Sequence, residues 1–391
     1  MMRLKAALVL CWLAWLLNFS YRMMIPALMP AIKAELGLTE LQASLMISLL
    51  LTGYAISLSL SGFLASALGD ERVIALSLTT VSAASIPASL LPLSPLWLSL
   101  DFFASGLGLG LYLPSALSLL SKLAPSSIKG RVMGVHETAA PLGQTLGPLM
   151  AGLALSVGFP WRLCILLWTL LPIALASIFL MQPKTESPSR LKVRSPVKID
   201  VPVKVYALLL TTYLCMASGT GLIVMVPLYM SSFFGLSAAL AAFIVGGSRI
   251  TGVAGQLIGG FLSDKLGRVK VLFFTVVITA ASTAILATAP YGPLFISSLL
   301  VVAASQTAFF PVFFALIADV FEEEVRGKIL SLILAPGLAM GSGLTPYVIG
   351  WLAETYSYPA ALLYPLTLSI ASIPLVAVVK IALKSRLPSK P

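Results

Sequence analysis

The 391-residue chain is 59% hydrophobic and only 10% charged, with a net charge of +11, whereas a soluble domain carries about 25% charged residues. Its apolar residues come in runs of about 20, the length of helix that crosses a bilayer core. This excludes a soluble domain. It also excludes a barrel, because buried strands give runs of about 4–8 residues and lipid-facing strands alternate with period two.

Twelve spans are predicted, at 5–32, 40–67, 73–92, 95–121, 131–157, 162–181, 204–231, 238–263, 270–289, 293–319, 328–354 and 358–380. The first run lacks a small-residue cleavage site and is followed by another span, so it is expected to stay in the mature chain. External turns are short and rich in Gly and Pro, as at Pro290-Tyr291-Gly292-Pro293. The one long polar stretch, with Pro183, Pro188, Pro196 and Pro202, can neither enter lipid nor continue a helix. It divides the chain into residues 1–181, a linker at 182–203, and residues 204–391. Of the 25 Lys and Arg, all but Arg22, Lys33, Arg162 and Arg249 fall at the termini, in the linker or in alternate loops. That bias places both termini in the cytoplasm, as expected of a multi-pass protein of the plasma (inner) membrane. The positive charge therefore signals topology, and no nucleic acid is expected as a partner. Cys11, Cys164 and Cys215 sit inside apolar runs without metal-ligand spacing and read as packing. Neither a metal nor a cofactor is expected.

The two halves repeat. Gly62, Phe63, Leu64, Leu68 and Gly69 recur 198 positions later as Gly260, Phe261, Leu262, Leu266 and Gly267. Gly37-Leu38-Thr39 recurs as Gly235-Leu236-Ser237, Pro114 as Pro311, and Lys129-Gly130-Arg131 as Arg326-Gly327-Lys328. Gly143, Pro148 and Gly152 recur as Gly341, Pro346 and Gly350. Matches in order, at nearly constant offset, describe two pseudo-symmetric six-helix bundles of one orientation.

On these residues the chain resembles the major facilitator superfamily (MFS) of secondary transporters along its whole length. Gly260, Asp264, Lys265, Gly267 and Arg268 fit the family's loop between second and third helices, Gly-x-x-x-Asp-(Arg/Lys)-x-Gly-(Arg/Lys). The first-half copy departs, with Ser66 in place of the acid and Asp70 in place of a base. In the family this loop is thought to brace one conformation. The fifth span carries Gly134, Gly143, Gly147-Pro148 and Gly152, similar to the family's antiporter motif. Independently of any family, such glycines let helices approach closely and Pro148 bends the helix. The fourth span has the family's Gly-rich patch, Gly106, Gly108, Gly110 and Pro114, but Asp101-Phe102-Phe103 where an arginine often precedes it. The resemblance implies an all-α membrane protein of the MFS fold, working by alternating access, usually as a monomer.

Five ionisable residues lie inside spans: Arg22, Asp101, His136, Glu137 and Arg249. A charge in hydrocarbon costs about 2.5–3.5 kcal/mol on insertion scales, so each requires a partner or a wet cavity. At about 1.5 Å rise per residue, Arg22 lies about 25 Å up the first span and Asp101 about 21 Å up the fourth, and the two are expected to pair. Arg249 lies about 16 Å below the outer end of the eighth span, with no acid of its half at similar depth. A guanidinium there suits a carboxylate or phosphate. Arg249 resembles the eighth-helix arginine of the oxalate:formate and monocarboxylate branches, and Arg22 the first-helix arginine of organic-anion symporters. Glu137, about 7–9 Å into the fifth span, could carry a proton, with His136 as relay; the alternative is an inner-end pairing of Glu137 with Arg131 or Lys129. Asn18, Tyr21, Tyr112, Gln144 and Gln306 could line the cavity or simply join helices.

The expectation is a transporter with the bilayer, a small-molecule substrate and protons as its partners. Its substrate class is expected to be a small organic anion of the carboxylate type. The alternative is a proton-coupled exporter of drug-like hydrophobic compounds, supported by the fifth-span motif. A membrane-embedded enzyme would need a nucleophile and base, or metal ligands, at one depth, and one histidine with three scattered cysteines does not provide them.

Overall fold

The computed structural model describes residues 4–92, 94–181 and 202–383. The predicted linker at 182–203 lies outside the described residues apart from its last two positions, as do the last eight residues of the chain. Among the described residues every regular element is helical. The first three spans are α1 (Leu4–Leu36), α2 (Glu40–Leu68) and α3 (Asp70–Leu90). The fourth is α4 (Pro95–Gly110) with α5 (Tyr112–Leu123), the fifth α6 (Lys129–Glu137) with α7 (Ala139–Ser156), and the sixth α8 (Trp161–Met181). Spans seven to ten are α9 (Val203–Phe234), α10 (Ala238–Leu266), α11 (Arg268–Thr288) and α12 (Pro293–Val320). The eleventh is α13 (Glu323–Gly337), a π-helical stretch Leu338–Gly343 and α14 (Leu344–Thr355); the twelfth is α15 (Tyr358–Ala361) with α16 (Leu363–Ala382).

Eleven of these segments are long and apolar enough to cross a bilayer. The fifth is the exception: its uncharged helix Ala139–Ser156 carries Pro141, Gly143, Gln144, Thr145, Gly147, Pro148 and Gly152, which make it less apolar than the other spans. The predicted bounds hold to a few residues. The third helix starts at Asp70 instead of 73, because Asp70 and Glu71 are buried in the structure where a solvated turn was expected.

Local chemistry explains the breaks. Thr39 caps α2: its hydroxyl accepts from the Gln42 amide, and the Gln42 side chain accepts from the Thr39 amide. Between α2 and α3, Gly69 adopts φ +92°, and its repeat partner Gly267, between α10 and α11, adopts φ +94°. Both positions favour glycine, since a Cβ is strained there. The sequence repeat is thus also a repeat of backbone conformation.

Packing divides the chain into two compact units, one of Met1–Lys192 with Val226–Gly246 and the other of Val193–Met225 with Gly247–Pro391. Within the first, α1 packs on α7, α2 on α4 and α3 on α8. The approaches are backbone to backbone: a Cβ on Gly106 would stand 2.1 Å from the Leu50 carbonyl, and one on Gly147 would stand 2.2 Å from the Ser20 carbonyl. Segment Val226–Gly246 joins this unit because it packs on α1 and α7. Lys33 Nζ donates to Ser232 Oγ at 3.2 Å, and Gly152 faces Phe243 at 3.1 Å from where its Cβ would be. Within the second unit α11 packs on α12 and α16 around a core that includes Phe309, Phe313 and Ile317.

Candidate functional site

Cys11, Trp15, Asn18 and Arg22 recur at intervals of three or four and so fall along one face of α1. Arg22 is buried, with its Cζ 3.8 Å from the Tyr54 ring centroid and 4.7 Å from that of Phe19. A guanidinium against aromatic faces gains cation–π attraction and keeps its N–H edge available for an anion. Among the described residues Arg22 makes no ion pair, and its Nε has no hydrogen-bond partner. The expected Arg22–Asp101 pair is therefore not formed. Neighbouring residues on a helix point about 100° apart. Tyr21, not Arg22, faces the side of α3 and α4, where its hydroxyl bonds Ser85 at 2.7 Å and Ser105 at 3.2 Å. Asp101, on α4, lies on that side, and its Oδ2 is buried without a partner.

A second group lies one to two turns toward the amino terminus of α1. Trp15, Tyr112 and His136 stack, with centroids 5.4 to 6.0 Å apart. His136 is wholly buried; one ring nitrogen lies 3.1 Å from the Tyr112 hydroxyl and the other 3.0 Å from the Glu137 carboxylate. Tyr112 in turn bonds the Cys11 carbonyl. Glu137 is 48% exposed. The interruption at Thr138 sets this arrangement, and Trp12 Nε1 pins it by donating to Thr138 Oγ1 at 2.9 Å. Glu137 pairs with His136 and not with Arg131 or Lys129.

The neutral candidates are mostly structural. Asn18 donates to the Leu109 carbonyl at 2.8 Å, and Gln306 donates to Thr220 at 2.7 Å within the second unit. Tyr21, Tyr112 and Gln306 are buried between helices. Arg249 is buried in α10, 6% exposed.

The duplicated turn carries charge clusters. Arg268 bonds Asp264, Ser263 at 2.7 Å and Asp319 at 3.0 Å, while Lys265 lies 4.3 Å from the Phe261 centroid. In the first half, buried Asp70 accepts from Lys122 at 2.6 Å and Ser118 at 3.0 Å. Among the motif glycines of the fifth span, Gly143, Gly147 and Gly152 meet neighbouring helices closely, whereas Gly134, like Gly260, faces open space. Phe19, Tyr54 and Trp15 were not singled out in the sequence, since an aromatic in an apolar run carries no signal of its own. Lys122 and Asp319 carried one: they stand 197 positions apart, in register with the repeat.

Two repeated sets of membrane-length helices, with buried cationic side chains, define a polytopic membrane transporter. The Major Facilitator Superfamily profile matches residues 10–211 and again 207–390, and the chain belongs to that family. It is 26% identical over 301 residues to the cis,cis-muconate transport protein of Acinetobacter baylyi, covering 72% of this chain and 70% of that one. The niacin transporter NiaP of the same species is 28% identical over 155 residues, 40% of this chain and 35% of its own length. The probable actinorhodin transporter of Streptomyces coelicolor is 30% identical over 174 residues, 42% of this chain and 29% of that protein. Among solved structures, a bacterial homologue of the lysosomal transporter Spinster, in an inward-facing and occupied conformation, matches with TM-score 0.83 at 16% identity over 98% of both chains. The D-xylose-proton symporter matches with TM-score 0.77 at 16% identity over 97% of both. The protein is a transporter of this superfamily and not an enzyme.

Proposed function

We propose that the chain is a proton-coupled carrier of a small organic anion of the carboxylate class. It works by alternating access through two six-helix halves, residues 1–181 and 204–391, with both termini cytoplasmic in the plasma (inner) membrane. Arg22 carries the proposal. A buried guanidinium with aromatic faces and no acidic partner leaves an uncompensated positive charge in a membrane-spanning bundle, and a bound carboxylate supplies the missing charge. Arg249, buried in the second unit, is a further anchor. The chemistry of two relatives supports the class, since cis,cis-muconate is a dicarboxylate and niacin a monocarboxylate.

The coupling residues are Glu137, His136 and Tyr112. Glu137 meets the solvent-accessible side, His136 accepts its proton through the 3.0 Å contact, and Tyr112 fixes the far ring nitrogen.

The test is thermal stabilisation of the purified protein, with cis,cis-muconate, niacin, inorganic phosphate and a lipophilic cation as probes, in the native chain and in Arg22→Ala. Binding to the native state raises the midpoint by mass action. A carboxylate shift that disappears in Arg22→Ala is expected. A shift with the lipophilic cation alone, unchanged in the variant, would overturn the carboxylate class. It would favour the alternative of hydrophobic export, which has its own support in an apolar cavity of about 410 Å³ in the second unit, between α10, α11 and α12.

A further inference from the structure

Several cations at the ends of the spans assigned to the cytoplasm are engaged: Lys122 is held by Asp70, Arg268 by Asp264 and Asp319, and Arg326 by the carbonyls of Ala318 and Phe321 at 2.7 and 3.2 Å. Two others stand together. Lys270, in the first turn of α11, and Lys380, in the last turn of α16, make no ion pair among the described residues. They come from different helices yet line one cavity of about 390 Å³, whose remaining walls are Val269, Phe273, Val376 and Ala377. No acid lines it.

The cavity therefore has two characters. Two ammonium groups supply positive charge without compensation, and the other walls are apolar, with Val376 buried at the base and Phe273 half-exposed beside it. On α16, Val378 and Ile381, close in sequence to Lys380, are exposed as well. An occupant must bring a negative charge and continue into hydrocarbon. A soluble anion satisfies only the lysines, and an acyl chain only the apolar walls.

We propose that this cavity is a binding site for the headgroup of an anionic phospholipid of the adjacent leaflet. Its phosphodiester lies between Lys270 and Lys380, and its glycerol and first methylenes lie on Phe273 and Val376. Each basic side chain near an anionic membrane surface is attracted to it, and two converging on one phosphate add geometric selectivity. Because α11 and α16 pack together, the lipid tethers the ninth and twelfth spans at their shared end. The site stands apart from Arg22 and Glu137 and does not depend on the substrate proposed above.

The experiment measures the thermal midpoint of the full-length protein in neutral detergent micelles with added phosphatidylglycerol, phosphatidylcholine or inorganic phosphate. It compares the native chain, Lys270→Gln/Lys380→Gln, and a control, Lys5→Gln/Lys204→Gln, that removes two basic residues elsewhere. Phosphatidylglycerol is expected to raise the midpoint of the native and control proteins, with no shift from phosphatidylcholine. Lys270→Gln/Lys380→Gln should unfold at the native midpoint without lipid and lose the shift. Native mass spectrometry should show a retained phosphatidylglycerol adduct in the native and control proteins, absent from that variant. An equal lipid shift in Lys270→Gln/Lys380→Gln overturns the site. A shift reproduced by inorganic phosphate alone overturns the lipid and leaves a soluble-anion site. Should the variant unfold early, the adduct decides: its retention sinks the proposal and its loss supports it.

Discussion

Asp70 and Lys122 form, within the first unit, the same brace that Arg268 and Asp319 form within the second, with the charges exchanged. Asp70 precedes Arg268 by 198 positions and Lys122 precedes Asp319 by 197, the offsets of the neighbouring repeated glycines and prolines. The contacts measure 2.6 Å and 3.0 Å, and each ties the start of a third helix in its half to the end of a fourth. The departure of Ser66-Asp70 from the family's loop is thus not a loss of the brace but a reversal of its polarity. The first-half copy is the drier, with the Asp70 side chain 2% exposed against 33% for Asp319. Truncating Lys122→Ala strands a buried carboxylate and should lower stability by about 1–3 kcal/mol, whereas Arg268→Ala, whose partners are wetter, should cost about 0–1 kcal/mol. The double variant Asp70→Arg/Lys122→Asp writes the second-half polarity into the first half. Its thermal midpoint in detergent should recover most of what Asp70→Arg alone loses; a double variant no better than the single one would refute the equivalence.

The sequence made the spans, the repeat and the class of protein readable because length and hydropathy are set by the bilayer and the repeat by duplication. Contacts were less accessible. Depth along a helix put Arg22 and Asp101 at one level, but depth says nothing of azimuth, and the side chains diverge: Arg22 turns to Tyr54, and Tyr21 takes the α3–α4 side. Glu137 and His136 stood out in the sequence as intramembrane ionisable neighbours, while Tyr112, which contacts His136, read only as a cavity candidate, since nothing in the sequence ties α5 to α6. The ring stack on Trp15 was invisible for the same reason.

The motif glycines of the fifth span should separate into two classes. Gly147 has the Ser20 carbonyl 2.2 Å from where a Cβ would sit, and Gly143 has the Leu16 carbonyl at 2.5 Å. Gly147→Ala must push α1 from α7, and overpacking of this kind costs about 1–3 kcal/mol. Gly134 faces open space in the interior of α6, so Gly134→Ala should be neutral or stabilising by up to about 1 kcal/mol. Unfolding midpoints of the two variants, side by side, check the contrast. Equal losses would mean that the motif acts as one unit.

The proposed proton coupling makes its own demand on His136, Glu137 and Tyr112. Glu137→Gln keeps the shape of the side chain and removes its titration. The variant should bind carboxylate with little change, lose proton uptake during transport, and exchange substrate without dependence on pH. Tyr112→Phe removes the hydroxyl that bonds both His136 and the Cys11 carbonyl, so it should slow proton-driven transport while leaving substrate exchange intact. Reconstituted vesicles carrying a pH-sensitive dye report both. Undiminished proton uptake in Glu137→Gln would remove Glu137 as the carrier.

Asp101 distinguishes an orphaned carboxyl from half of a salt bridge. Its Oδ2 is buried with no hydrogen-bond partner, and Arg22 sits elsewhere against Tyr54 and Phe19. A carboxyl group held this way inside a span destabilises the fold whenever it ionises, by about 2.5–3.5 kcal/mol on insertion scales. Asp101→Asn removes the charge at nearly constant volume and should raise the thermal midpoint near neutral pH. The gain should shrink as the medium is acidified, because protonation of the native Asp101 then achieves the same neutralisation. A broken Arg22–Asp101 pair would give the opposite sign, a loss of about 3–5 kcal/mol from leaving a guanidinium uncompensated. If the midpoint rises but proton-driven transport falls, Asp101 is a second protonation site; if transport is unchanged, Glu137 suffices.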